Sequence, residues 1–222
     1  MPRLTLDQEL QNISDDMLIL GSMVEQALVA SVQALKENDM DKSRFVQEGD
    51  KRINFKRYQM EGDIITVIAT QSPLTRDLRF LASAMNICTE LERIGDYAKA
   101  IASANLLSGG VSMPGPLVIA YKMGLKGADM LHRAMTAFIE GNADAARKII
   151  YEDDIVDALY TQLYNACINR VIEDPRNTDR INYLLWAAHN LERSADRVTN
   201  ICERAIYVKT GFFEYENQIP QL

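Results

Sequence analysis

Strand-forming signals are almost absent from this chain of 222 residues, so sheet architectures drop out before any element is placed. Cysteine is scarce as well. Cys88, Cys167 and Cys202 are odd in number, share no CxxC spacing and sit inside helical stretches. They read as small buried hydrophobes in a reducing compartment, not as a disulfide framework. The two histidines, His132 and His189, do not follow a Glu at three residues. That removes the ExxH pairs a ferritin-like di-metal carboxylate enzyme needs. No Ser, Cys or Lys accompanies a His and an acid in a suggestive constellation, so nucleophilic catalysis has no support. No basic-then-apolar leader opens the chain and no unbroken apolar run of eighteen residues occurs. The expected location is the cytoplasm, peripheral to a membrane at most. Positive charge is in deficit: the net charge is −7 and the pI is about 5.0. Nucleic acid is therefore excluded as a partner, since phosphate backbones need a basic face.

Hydrophobic residues make up 47% of the chain and charged residues 25%, a balance that supports real cores in a soluble protein. Turn signals cut the chain clearly. Breaks at Asn38 to Asp41, Ser72-Pro73, Ser108 to Pro116, Gly141-Asn142 and Asp174-Pro175 separate six helical patterns, 4–37, 41–71, 73–107, 115–140, 143–173 and 175–209. Ser72-Pro73 and Asp174-Pro175 each have the form of an N-cap followed by proline at the first helical position. Residues 109–116 form a linker at the midpoint, and 212–222 are a tail without pattern.

The chain writes itself twice. Glu192-Arg193-Ser194-Ala195-Asp196 repeats Glu92-Arg93-Ile94-Gly95-Asp96 one hundred residues later. Asp153-Asp154-Ile155-Val156-Asp157 answers Asp50-Lys51-Arg52-Ile53-Asn54 at an offset of 103. Such offsets suit a duplicated small domain. Three helices on short turns pack most simply as an antiparallel bundle. The fold expected is all-α: two tandem antiparallel three-helix bundles, 1–108 and 117–211, each with its own core.

In the third helix Phe80, Ala84, Ile87, Leu91, Ile94, Ala98 and Ile101 form an apolar seam that stops at the polar Asn105. Glu92 and Asp96 lie roughly 130–170° from the middle of that seam and so face outward. On the last helix His189, Glu192, Asp196 and Asn200 face out together. Antiparallel neighbours meet when they are equally far from their turn. Asn54 with Glu92, and Asp50 with Asp96, are centred on Pro73; Asp157 with Glu192, and Asp153 with Asp196, are centred on Asp174-Pro175. The second bundle should thus gather four carboxylates, and the first three carboxylates and one amide. An all-oxygen cluster of this kind suits hard or borderline cations, and a cation relieves the mutual repulsion of the acids. The competing reading is a solvated acidic face with Arg93, Arg193 and Arg197 as partners along the helix.

Glu90-Leu91-Glu92-Arg93-Ile94-Gly95-Asp96 and Asn190-Leu191-Glu192-Arg193-Ser194-Ala195-Asp196 resemble the paired motifs of the PhoU family. So do Gln47 to Asn54 and Tyr151 to Asp157, and the resemblance runs from Leu4 to Gly211. It implies metal clusters on the bundle surface, with iron, zinc, nickel, magnesium or calcium as candidates, and a homodimer. It also implies a regulator, not an enzyme, that links a phosphate ABC transporter, through its ATPase subunit, to a membrane sensor histidine kinase and so shuts off the phosphate-starvation response. The implied metal residues are Asp50, Asn54, Glu92 and Asp96 in the first repeat. In the second they are Asp153, Asp157, Glu192, Asp196 and Asn200, with His189 as a possible nitrogen ligand. One departure stands out: where the family often has Asp or Asn four residues after the motif Asp, the first repeat has Ala100. With neutral Asn54, the first cluster should be the weaker. The alternatives are a di-metal carboxylate enzyme and a metal-free helical adaptor.

Overall fold

The computed structural model describes the backbone of residues 2–109 and 113–212, with side chains from residue 5 onward. The described residues form seven α-helices, one 3-10 turn and no strand. In order these are α1 (Pro2–Glu37), α2 (Met40–Gln71), α3 (Thr75–Ser108), α4 (Pro114–Glu140), α5 (Ala143–Ile150), α6 (Asp153–Glu173), the turn Pro175–Asn177, and α7 (Thr178–Thr210). Residues 110–112 of the expected linker and 213–222 of the expected tail lie outside the described residues.

The duplication shows first in the caps. Asn38 and Gly141, which end α1 and α4, both take left-handed φ, 55° and 63°. The next residue then caps the following helix in each repeat: Asp39 accepts from the Lys42 N–H at 2.9 Å, and Asn142 from the Ala145 N–H at 3.0 Å. Asp174 does the same for the 3-10 turn, accepting from the Arg176 N–H at 3.2 Å with Pro175 at its first position. Ser72 does not. Its φ of 47° makes it the left-handed end of α2, without the extended backbone an N-cap requires, and α3 begins after Leu74.

The fifth pattern, expected as one helix over 143–173, is interrupted at Tyr151-Glu152. Around the interruption the backbone closes i−3 bonds, Glu152 N–H to Ile149 O at 3.0 Å and Ile155 N–H to Glu152 O at 3.1 Å. The Glu152 carboxylate turns to α4, where it meets Lys126 Nζ and the Arg133 guanidinium. Those cations hold its carboxyl down at about 2. The break leaves Asp153 at the first position of α6.

Buried positions keep the sequence offsets. Val46, Ile53, Met60 and Ile64 of α2 answer Ile149, Val156, Leu163 and Cys167 of α5 and α6. Ile87, Leu91, Ala98 and Ile101 of α3 answer Ala187, Leu191, Val198 and Ile201 of α7. The three thiols are buried, and burial pushes them up to about 12, 11 and 12, so they behave as small hydrophobes. An eighteen-residue window of α1 has a mean hydropathy of 1.5, long and apolar enough for a membrane span. Met17, Leu20, Val24, Leu28, Val32 and Leu35 of that helix are buried in the core.

The two three-helix repeats do not keep separate cores, as the seams suggested. One continuous apolar core runs through both. Helix α1 packs antiparallel on α4, with Gly21 beside Met135 and Gly124 beside Val32. Helix α3 packs antiparallel on α7, with Arg79 beside Gly211 and Glu90 beside Asn200. The physical reason is that α3 is buried beyond its seam, at Leu81, Ser83, Cys88, Ala102 and Ala104. A helix buried on two faces must join two layers. Asn105, the polar residue that ends the seam in the sequence, is fully buried and ties α3 to the first turn, its amide donating to Ala34 O at 3.1 Å and Ser43 Oγ at 2.9 Å.

Candidate metal centre

In the second repeat Asp153 and Asp157 stand one turn apart at the start of α6, and Glu192 and Asp196 one turn apart on α7. The four carboxylates act on one another. Burial, then the charges of Asp157, Asp196 and Glu192, push Asp153 up to about 6. Burial and the Asp196 charge raise Glu192 and Asp157 also. Asp153 Oδ1 and Glu192 Oε2 are buried without a hydrogen-bond partner. Arg193 Nη1 lies 3.5 Å from Asp196 Oδ2, and His189 Nδ1 lies 3.4 Å from Glu192 Oε2. Among the described residues no three His, Cys, Asp or Glu side chains converge tightly enough to grip an ion. The acids share a surface without meeting at a point. Unpartnered oxygens and mutually raised carboxyls leave this face with negative charge that Arg193 offsets only in part.

Asn200, grouped with these acids in the sequence, is engaged elsewhere. Its amide donates to Glu90 Oε2 of α3 at 3.2 Å, and Arg197 Nη1 reaches the same oxygen at 3.4 Å. Arg197 also bonds Tyr97. It is thus a strut between repeats, not a partner for the acids on its own helix. The reach to another helix could not be read from a single helical face.

The first repeat has a different charge balance. Asp50, 3% exposed, accepts from Lys99 Nζ at 2.8 Å and from the Asn54 amide at 3.1 Å, both on Oδ2. Burial and the Asp50 charge raise Asp96, while Lys99 opposes the rise. Burial and Asp96 raise Glu92, while Arg57 opposes. Lys99 and Arg57 escaped the sequence reading because only acids and amides were followed across the turn. The mirror rule about Pro73 would have found them: Asp50 with Lys99 and Arg57 with Glu92 are offset by the same three residues from exact register.

The raised Asp153 carboxyl has a consequence for stability. A folded value of about 6 against an ordinary 3.8 means the native state holds the proton more tightly than the unfolded chain. Stability therefore falls as pH rises through that window. In metal-free protein the loss from this group should be about 1 kcal/mol after solvent screening. Urea titrations in chelator at pH 4.5 and 7 should show it, and Asp153→Asn should reduce the difference. An unchanged difference in the variant would assign the slope to other groups.

A family model described as the PhoU domain matches the chain twice, over residues 17–104 and 120–205. A phosphate-specific transport system accessory protein PhoU homolog from Clostridium acetobutylicum is 32% identical over 212 residues, covering 95% of this chain and 97% of that protein. The phosphate-specific transport system accessory protein PhoU of Escherichia coli K12 is 32% identical over 203 residues, covering 91% of this chain and 84% of its own. The crystal structure of PhoU from Pseudomonas aeruginosa superposes with a TM-score of 0.87 at 30% identity, covering 93% of this chain and 99% of that one. The phosphate transport system regulatory protein PhoU from Streptococcus pneumoniae gives 0.85 at 29% identity, covering 94% and 98%.

Proposed function

This chain belongs to the PhoU family, and from that premise we propose that it is an accessory regulatory protein of a phosphate transport system. The observation that carries the reading is the double family match, one per repeat, together with full-length relatives whose names state that role. In finer terms, the protein acts with the ATPase subunit of a phosphate ABC transporter and with a membrane sensor histidine kinase, as a negative regulator of the starvation response. It works as a homodimer in the cytoplasm. Exposed Phe45, Phe55 and Tyr58 along α2, with Lys51 and Arg52 between them, support a protein-docking role, since aromatic residues are enriched at interaction surfaces. It is a regulator and not an enzyme on this reading, because the relatives' names state an accessory role.

Asp153, Asp157, Glu192 and Asp196 are the residues that would hold a divalent cation. A bound cation would supply charge neutralisation and a cross-link between α6 and α7. Neutralising these acids would remove the mutual repulsion that raises Asp153. Deleting the gene should leave phosphate-starvation genes expressed in phosphate-rich medium. Tagged protein should retain the transporter ATPase or the kinase. Normal repression in the deletion strain would overturn the regulatory reading.

A further inference from the structure

Repeat one carries most of the acids of repeat two, yet three of its positions differ in charge. Aligned at an offset of one hundred, Lys99 stands where repeat two has Thr199. Aligned at 103, Arg57 stands where repeat two has Tyr160, and Asn54 where it has Asp157. All three changes add positive charge or remove negative charge. The Lys99 ammonium lies 2.8 Å from Asp50 Oδ2, a carboxylate only 3% exposed, and the Asn54 amide takes the same oxygen. Asp50 Oδ1 and Asn54 Oδ1 remain buried without a partner, while Asp50 Oδ2 is already neutralised.

We propose that Lys99 is a built-in cation that closes the first repeat's acidic site to metal, leaving divalent ions to the second repeat alone. The inference rests on the metal reading above for repeat two, and it goes against equal loading of two sites. A metal entering repeat one must displace an ammonium from a buried carboxylate and then meet the charge of Arg57, which acts on Glu92 from its pairing with Glu61. Each step lowers affinity, because ligand charge sets the affinity of oxygen sites for hard cations. The lysine is half-exposed along its length. Its head is nevertheless anchored on Asp50, and its long stem lets it reach that carboxylate from the neighbouring helix.

The test removes the lysine's charge and counts ions. Full-length protein is stripped with chelator and dialysed against Mn²⁺, with elemental analysis of the protein chamber. In a Glu192→Gln/Asp196→Asn background, which disables repeat two, no specific Mn²⁺ should remain. Adding Lys99→Thr, the repeat-two residue, should restore a site that binds about tenfold or more tightly than the background. Asp96→Asn should abolish that site again, and Lys99→Arg should leave it closed. If Lys99→Thr does not fold, Lys99→Gln, which keeps a donor for Asp50 without the charge, decides by the same count. A background protein that still holds Mn²⁺ and loses it on Asp96→Asn would overturn the proposal. So would the absence of any gain on removing the charge. Wild type without Mn²⁺ but a gain in Lys99→Thr would retire the metal reading for repeat two and leave this one standing.

Discussion

Gly124→Ala should destabilise the protein by about 1–2 kcal/mol, although alanine is the better helix former by about 1 kcal/mol. The reason is the approach of α1 to α4. A Cβ at position 124 would sit 2.4 and 2.7 Å from the two methyls of Val32 and 2.9 Å from its Cβ. Val32 is 1% exposed and β-branched, so it has neither space nor rotamers with which to yield. Gly62 gives the contrast. A Cβ there meets nothing within 4 Å, so Gly62→Ala, on an exposed face of α2, should stabilise by about 0.5–1 kcal/mol. Val32→Ala alone opens a cavity costing on the order of 2 kcal/mol. Combined with Gly124→Ala it should cost at least about 1 kcal/mol less than the sum, because the new methyl enters the space vacated. Urea unfolding of the four variants checks this. A stabilised Gly124→Ala protein would mean that the repeats are not held together at this crossing.

Asp196→Ala should weaken divalent-ion binding by about a hundredfold, while Asp96→Ala should leave wild-type stoichiometry unchanged. Asp196 adds its charge to that of Asp157 around Asp153, and repeat two has no lysine among these acids to take over the neutralisation. Asp96 belongs to a site that Lys99 already serves. Both variants should fold, because these side chains lie outside the apolar core and such substitutions cost little. Calorimetric titration with Mn²⁺ measures the difference. Equal loss in the two variants would show two working sites and contradict the asymmetry.

Much of this was legible in the residues, for identifiable reasons. A helix with one buried face prints its periodicity, so the seam from Ala84 to Ile101 could be read directly, and all its members are buried. The mirror rule about each turn placed Asp50 with Asp96, and Asp153 with Asp196, in mutual electrostatic reach. What escaped has a common cause in tertiary choice. The interruption at Tyr151-Glu152 carries no Gly or Pro; it coincides with Glu152 turning to Lys126 and Arg133 of another helix. Ser72 ends one helix where its composition suited starting the next, since the same small polar residue serves both roles. The shared core was hidden because a second buried face erases the polar stripe that marks a surface helix. Lys99 was missed because a long polar side chain reaches beyond the face on which it originates.

On the proposed reading the second repeat alone holds a divalent cation, on Asp153, Asp157, Glu192 and Asp196. Anomalous diffraction from crystals of the full chain equilibrated with Mn²⁺ decides this. The expected map has metal density against those four carboxylates and none at Asp50, Glu92 and Asp96, where the Lys99 ammonium still meets Asp50. Metal density in the first repeat, or in neither, would contradict it.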